Sequence, residues 1–275
     1  MLITNAHIIN EEHETAADVL IRNGRIEKIA KQISAPAGTV IYDAKGQWLL
    51  PGLIDDQVHF REPGLTHKGD LYSESRAAVA GGVTTYFDMP NNKPAITTRQ
   101  LLAEKYAAAQ GRSFANYAFY FGGANDNLEE VAALQRDEAC AIKVFMGAST
   151  GDLLVSDDAC LRLVLQHGRR RVAIHAEDEP RMQERANLRV TGDPSSHPVW
   201  RSPEVISVLA ETASAAGLVR LTSMRSFCGV AGTTSMWWTS AIARLDPSPR
   251  SRAYRLARPA PSTSSSRICA SIPSR

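Results

Sequence analysis

Between residues 53 and 61, side chains able to do chemistry recur at every second position: Asp55, Gln57, His59 and Arg61. Residues two apart share a face of an extended strand, so a carboxylate, an amide, an imidazole and a guanidinium would line up, with Asp56, Val58 and Phe60 opposite. Packing alone does not select such a face, because each buried polar group left unpaired costs about 1–3 kcal/mol. A polar strand end held in surface salt bridges is one explanation; a ligand-holding cluster is the stronger one. Further along, Lys143 is the one charged residue in the apolar run Cys140–Met146. A buried ammonium is costly and tends to lose its proton. The neutral amine is a nucleophile that combines with carbon dioxide to give a carbamate, an anionic two-oxygen bridge suited to two divalent cations. The same lysine could instead snorkel to the surface or pair with a carboxylate.

His175 closes a third apolar run, Val172-Ala173-Ile174-His175. A lone histidine is more often structural than a ligand, but this one stands at the third strand end to carry a nitrogen donor. His7, His13, His67, His167 and His197 have no comparable setting and read as structural or exposed. Asn91 and Asn92, between Pro90 and Pro94, could present amides to a ligand; ordinary turn chemistry explains them as well, and locally it explains them better.

The elements that must position these residues follow from periodicity. Residues 1–51 read as a small β module of short strands (Leu2–Ile9, Asp18–Ile21, Arg25–Ile29, Val40–Tyr42), with Asn23-Gly24 as a hairpin turn. From Gly52 onward, strands and helices alternate, with strands starting about 25–33 residues apart, the βα repeat of a parallel α/β fold. The expected pairs are Leu53–Phe60 with Ser73–Ala80, Val83–Met89 with Thr98–Ala109, Ala115–Phe121 with Leu128–Leu134, Cys140–Met146 with Asp157–Leu165, and Arg171–His175 with Glu179–Asn187. No GxGxxG follows the first strand, which favours a (β/α)8 barrel over a doubly wound sheet. A full barrel needs about 250 residues. The expected fold is therefore an incomplete TIM-type barrel of about five βα units over residues 52–205, followed by an aberrant segment, 206–275.

The composition (275 residues, 44% hydrophobic, 22% charged, net charge +2) is that of a soluble globular protein, without the run of ~20 apolar residues a membrane span needs and without a signal-peptide pattern. Four cysteines share no CxxC spacing, so a disulfide framework is not indicated and a reducing cytoplasm is expected. Charge is unevenly placed: residues 1–200 hold 26 acids against 21 Lys and Arg, whereas residues 201–275 hold 3 acids, 10 arginines, 15 serines and no lysine. A basic tail suits nucleic acid or acidic lipid, but this one lacks interleaved aromatics or a fold motif, and a shifted reading frame is the simpler account. The Arg-, Ser- and Pro-rich run from Pro247 is expected to be disordered.

Together the segments resemble dihydroorotase, of the amidohydrolase superfamily. The carrying residues are Pro51-Gly52-Leu53-Ile54-Asp55 with Asp56-Gln57-Val58-His59-Phe60-Arg61-Glu62-Pro63-Gly64, then Ala80-Gly81-Gly82-Val83-Thr84-Thr85, Asp88-Met89-Pro90-Asn91, Lys143-Val144-Phe145-Met146-Gly147, His175-Ala176-Glu177 and His197-Pro198-Val199-Trp200-Arg201-Ser202. The likeness runs over residues 1–205; the lysine and His175 segments are shared with hydantoinases and allantoinases. It implies one or two zinc ions held by His59, by Lys143 as a carbamate and by His175, and a substrate carboxylate gripped by Arg61 and Asn91. The implied reaction is the reversible hydrolysis of dihydroorotate to N-carbamoyl-aspartate, in pyrimidine synthesis. The expected partners are that small molecule and further copies of the chain in a homo-oligomer, in a cytoplasmic protein with neither nucleic acid nor membrane.

Three departures stand out. Gln57 occupies the place of the first histidine in the family's His-x-His, and an amide is a poor zinc ligand. The family's later histidine and general-base aspartate have no counterpart, since no histidine follows His197 and only Asp246 follows as an aspartate; the catalytic base is unassigned. The closing strands of the β module are also missing. An open half-barrel would leave strand edges and apolar faces unpaired, so poor solubility and little or no activity are expected. Two other readings stay open: another cyclic amidase, or an inactive scaffold partner of aspartate transcarbamoylase.

Overall fold

The structure is a computed structural model that describes residues 1–147, 153–155 and 157–201, together with the backbone of 222–225 and 239–243. These residues fall into two compact units that divide between Leu53 and Ile54.

The first unit is a five-stranded sheet: β1 (Leu2–Asn10), β2 (His13–Arg22), β3 (Arg25–Ala30), β4 (Ile41–Asp43) and β5 (Trp48–Leu49), in the order β3-β2-β1-β4 with β5 also on β1. Asn23 and Gly24 have φ of 51° and 70°, the left-handed pair that a type I′ hairpin requires. The β1–β2 hairpin turns in the same way at Glu11 and Glu12, with φ of 50° and 65°. Neither residue is a turn former, which is why sequence placed the start of the second strand five residues late. Alternation puts Ile3 and Val19 in one small core and Leu2 and Leu20 in another. The buried Asp18 carboxylate accepts the backbone N–H groups of Asn5 (3.0 Å) and Ile33 (2.9 Å).

The second unit carries the βα repeat: β6 (Leu53–Val58), α1 (Leu71–Ala80), β7 (Val83–Asp88), α2 (Arg99–Ala109), β8 (Asn116–Phe119), β9 (Phe121–Gly122), α3 (Leu128–Ala133), β10 (Ile142–Phe145), α4 (Asp158–His167), β11 (Val172–His175), α5 (Glu179–Glu184) and the single turn α6 (His197–Trp200). Helix starts are set locally: Asp70, Thr98, Asp157 and Asp178 each accept a backbone N–H of the first turn of α1, α2, α4 and α5. The fold is α/β, a partial set of barrel βα units that follows a β module in the chain. Among the described residues, no helix is long and apolar enough to cross a membrane.

The strands lie in sequence order in two sheets, β6-β7-β8 and β9-β10-β11. The expected third strand is one chain segment bent at Tyr120, whose N–H still bonds Asp88 O of β7 (3.0 Å) while Phe121 N bonds Ala141 O, just before β10 (3.0 Å). Beyond β11 the repeat changes: β13 (Thr239–Ala243) pairs with β11 antiparallel, and β12 (Thr222–Arg225) pairs with β13. An antiparallel pair satisfies the edge of β11 without a crossover helix. The rest of the expected aberrant segment, including the run from Pro247, lies outside the described residues.

The strands have two working faces. Val144, Ile174, Phe119 and Tyr117 look toward the helices and form the main core with Leu102, Val131, Leu161 and Val164. Met89, Tyr120, Ala141 and Ala173 form a separate cluster on the other face.

Candidate functional site

Lys143 and His175 follow from that alternation. Ala141 and Ala173 belong to the second cluster, so Lys143 and His175, two positions on along β10 and β11, continue the same face. Phe145 pairs in register with His175 and links the two: the Lys143 ammonium lies 5.0 Å from its ring centroid and the His175 ring 5.9 Å. Lys143 is buried, 1% exposed, and its Nζ has no hydrogen-bond partner among the described residues. Loss of hydration pushes its pKa down to about 8, with the Asp56 carboxylate pulling the other way.

His59 sits just past the end of β6, with Nδ1 2.8 Å from Asn91 Oδ1. The carbonyl oxygen can only accept, so Nδ1 donates and Nε2 keeps its lone pair, the tautomer a cation requires. Burial lowers the His59 pKa, and the positive charges of Arg61 and Lys143 act in the same direction. His175 is also held down, at about 4, by desolvation first and then by Lys143 and Arg201. Its Nε2 meets Glu177 Oε2 at 2.9 Å, and Glu177 is ion-paired in turn with Arg201. Lys143 therefore bears electrostatically on both imidazoles and on Asp56. No three His, Cys, Asp or Glu among the described residues form a cation-holding group by themselves. A Lys143 carbamate would add oxygen donors to these imidazoles, and the buried amine without a hydrogen-bond partner fits that role chemically.

Arg61 has φ of +66°, a left-handed conformation costly for a side chain with a Cβ. Its guanidinium makes no hydrogen bond or ion pair among the described residues, so five donors remain uncommitted beside His59. The following loop packs directly on the loop that carries Asn91: Lys93 N donates to Pro63 O (3.1 Å), and Gly64 lies against Lys93. Glu62 anchors the first loop from behind, accepting Leu71 N at 2.9 Å and Arg112 Nη2 at 3.2 Å. Asn91 Oδ1 is spent on His59, which leaves the amide N–H groups of Asn91 for an anion.

The expected polar face is corrected in two places. β6 ends at Val58, so the alternation extrapolated from Asp55 through Arg61 stops before His59, and Asp55 is exposed. Asp56, assigned from sequence to the opposite face, is half-buried within the field of Lys143, and burial raises its pKa. Gln57 is half-buried, its backbone N–H on Asp55 Oδ1 (3.1 Å). Sequence reasoning also missed Asp88, Lys105, Glu177 and Arg201. Glu177 was within reach of it, two residues past a candidate ligand; Lys105 carried no signal, being one charged residue on a polar-looking helix.

The architecture, a small β module followed in the chain by parallel βα units, is that of the TIM-barrel amidohydrolases: residues covering 78% of this chain superpose on 51% of an L-hydantoinase from Arthrobacter aurescens, at TM-score 0.70 and 26% identity. More particularly, the chain is similar to dihydroorotases. It is 36% identical over 181 residues to the dihydroorotase of Methanosarcina acetivorans, covering 64% of this chain and 38% of that protein. The likeness extends to an allantoinase of Solibacter usitatus, 34% identical over 183 residues, 65% of this chain and 40% of the relative. The chain thus spans about two fifths of the length of these relatives. No family model matches it.

Proposed function

We propose that this chain carries one side of a dihydroorotase site, for the reversible hydrolysis of dihydroorotate to N-carbamoyl-aspartate in pyrimidine synthesis. The observation that carries the reading is the buried, unpartnered Lys143 amine, on one sheet face with His175 and within the field of His59. His59, His175 and a Lys143 carbamate would hold one or two zinc ions. When bound, the metal supplies a water of lowered pKa, toward ~7, and polarises the amide carbonyl under attack. The chain's own part is orientation. The Arg61 guanidinium and the Asn91 amide N–H groups fit a ring carboxylate, which favours dihydroorotate over hydantoin or allantoin. Asn91 also holds His59 in the tautomer that leaves Nε2 open, and Glu177, fixed by Arg201, holds the ring of His175. The proton-accepting base has no candidate among the described residues. A soluble metabolite as partner, a cytoplasmic setting and a homo-oligomer belong to the same proposal.

The full chain, supplied with zinc and carbon-13 bicarbonate, should take up one label at Lys143, seen as a carbamate resonance, and bind zinc. Dihydroorotate should protect this complex better than hydantoin does, and Arg61→Ala should abolish the preference. A chain that binds no zinc and takes up no label refutes the reading.

A further inference from the structure

Behind the strand ends lies an ion pair that the proposed chemistry does not use. Lys105, on α2, and Asp88, the last residue of β7, have fully buried side chains and meet at 2.7 Å (Nζ to Oδ2). Two buried charges are seldom the most stable filling for such a space, since apolar side chains of similar volume commonly do as well or better. Lys105 sits against the Phe119 ring, 4.6 Å from its centroid, where a leucine or methionine would pack. Stability is therefore a poor account of the pair, and its connections supply a better one.

The ammonium donates hydrogen bonds to Met89 O at 3.2 Å and Asn92 Oδ1 at 2.8 Å, whereas Asp88 Oδ2, its ion-pair partner, is in charge contact without hydrogen-bond alignment. Both acceptors lie in the loop that carries Asn91, one on either side of it. The other oxygen of Asp88, Oδ1, accepts the backbone N–H of Phe60 at 2.9 Å. That N–H belongs to the His59–Phe60 peptide, so the hydrogen bond fixes the backbone at His59, one residue before Arg61. Met89 N donates to Val58 O at 2.9 Å and completes the link between the two strand ends. One buried cation thus ties α2 to both segments that carry His59, Arg61 and Asn91, while touching none of those three side chains.

We propose that Lys105 and Asp88 are positioning residues, which set the backbone of residues 59–61 and 89–92 and thereby the His59–Asn91 hydrogen bond. The inference rests on reading His59, Arg61 and Asn91 as site residues, but it is tested on the metal-free chain. Failure to bind zinc or dihydroorotate would count against that reading and leave this one standing.

The test uses the full chain, with Lys105→Met read beside Asp88→Asn/Lys105→Met, because the single change leaves a carboxylate buried without its partner. Two quantities are followed: amide hydrogen exchange, and the nitrogen-15 signals of the His59 ring. In the parent protein His59 should show one tautomer, protonated at Nδ1. In the double variant, exchange at Phe60 and at residues 89–93 should rise at least tenfold relative to the β10–β11 amides, and the His59 signals should move toward a mixture of tautomers. A uniform rise across the strands with an unchanged His59 tautomer would show a merely stabilising pair and overturn the proposal. No change at all, or the unfolding of both variants, overturns it equally.

Discussion

Gly64 is the point where the Arg61 loop meets the Asn91 loop, and replacing it with alanine tests whether that meeting shapes the site. Gly64 has φ of +81°, and a Cβ built there would lie 1.8 Å from the carbonyl oxygen of Lys93, against an ordinary contact of 3.4–4 Å. The loops must part by about 1.6 Å or more to admit the methyl group. Left-handed backbone costs alanine about 1–2 kcal/mol. Parting the loops breaks the Lys93 N–Pro63 O bond, a further ~1 kcal/mol. The sum, about 2–3 kcal/mol, corresponds to roughly a 30- to 150-fold shift in the unfolding constant. Gly82, in the same unit, is the control: its φ is +85°, but nothing lies within 4 Å of its Cβ position, so Gly82→Ala carries only the backbone term. Urea unfolding of the two variants, extrapolated linearly to water, should place Gly64→Ala below Gly82→Ala by about 1 kcal/mol or more. Nitrogen-15 signals of His59 should change only in Gly64→Ala, because the displaced loop carries Asn91. Equal destabilisation of the two variants, with His59 undisturbed in both, would refute the coupling of the loops.

Three other outcomes follow from the same geometry. Arg61→Gly should raise stability by up to about 1 kcal/mol, since glycine tolerates φ of +66°, while removing the preference for carboxylate-bearing ligands; urea unfolding and ligand titration check the two halves separately. Lys143→Met should leave the metal-free chain as stable or more stable at pH 7, because it replaces an unpartnered buried amine with an apolar chain, while abolishing carbamate labelling; a clear loss of stability would show that the lysine has a structural partner. Burial pushes the Cys140 thiol up to about 12 from an ordinary 9, so above pH 9 the unfolded chain loses a proton that the folded chain keeps. Stability should then fall with rising pH by up to about 1.4 kcal/mol per pH unit relative to Cys140→Ala, and parallel pH profiles of the two proteins would contradict this.

The order of elements was legible in the sequence because strands and helices announce themselves over short distances. The strands at Val83–Asp88 and Val172–His175 and the Asn23-Gly24 turn each depend on neighbours a few positions away. Lys143 and His175 stood out for the same reason, as polar residues within or closing apolar runs, and His59 as one of four polar residues at alternate positions. Pairing across the fold was not legible. Period-two alternation places Asp56 opposite His59, yet the strand stops at Val58 and the chain turns into a left-handed residue at Arg61, so the face rule expires where the chemistry begins. Nothing near Lys105 in the chain marks it as buried; only the packing of α2 on β7 brings its charge to Asp88 and joins residues 59–61 to residues 89–92. Local side-chain chemistry thus determined which residues could bind and on what elements they stand, whereas long-range packing, invisible to any short window of sequence, decided which of them face one another.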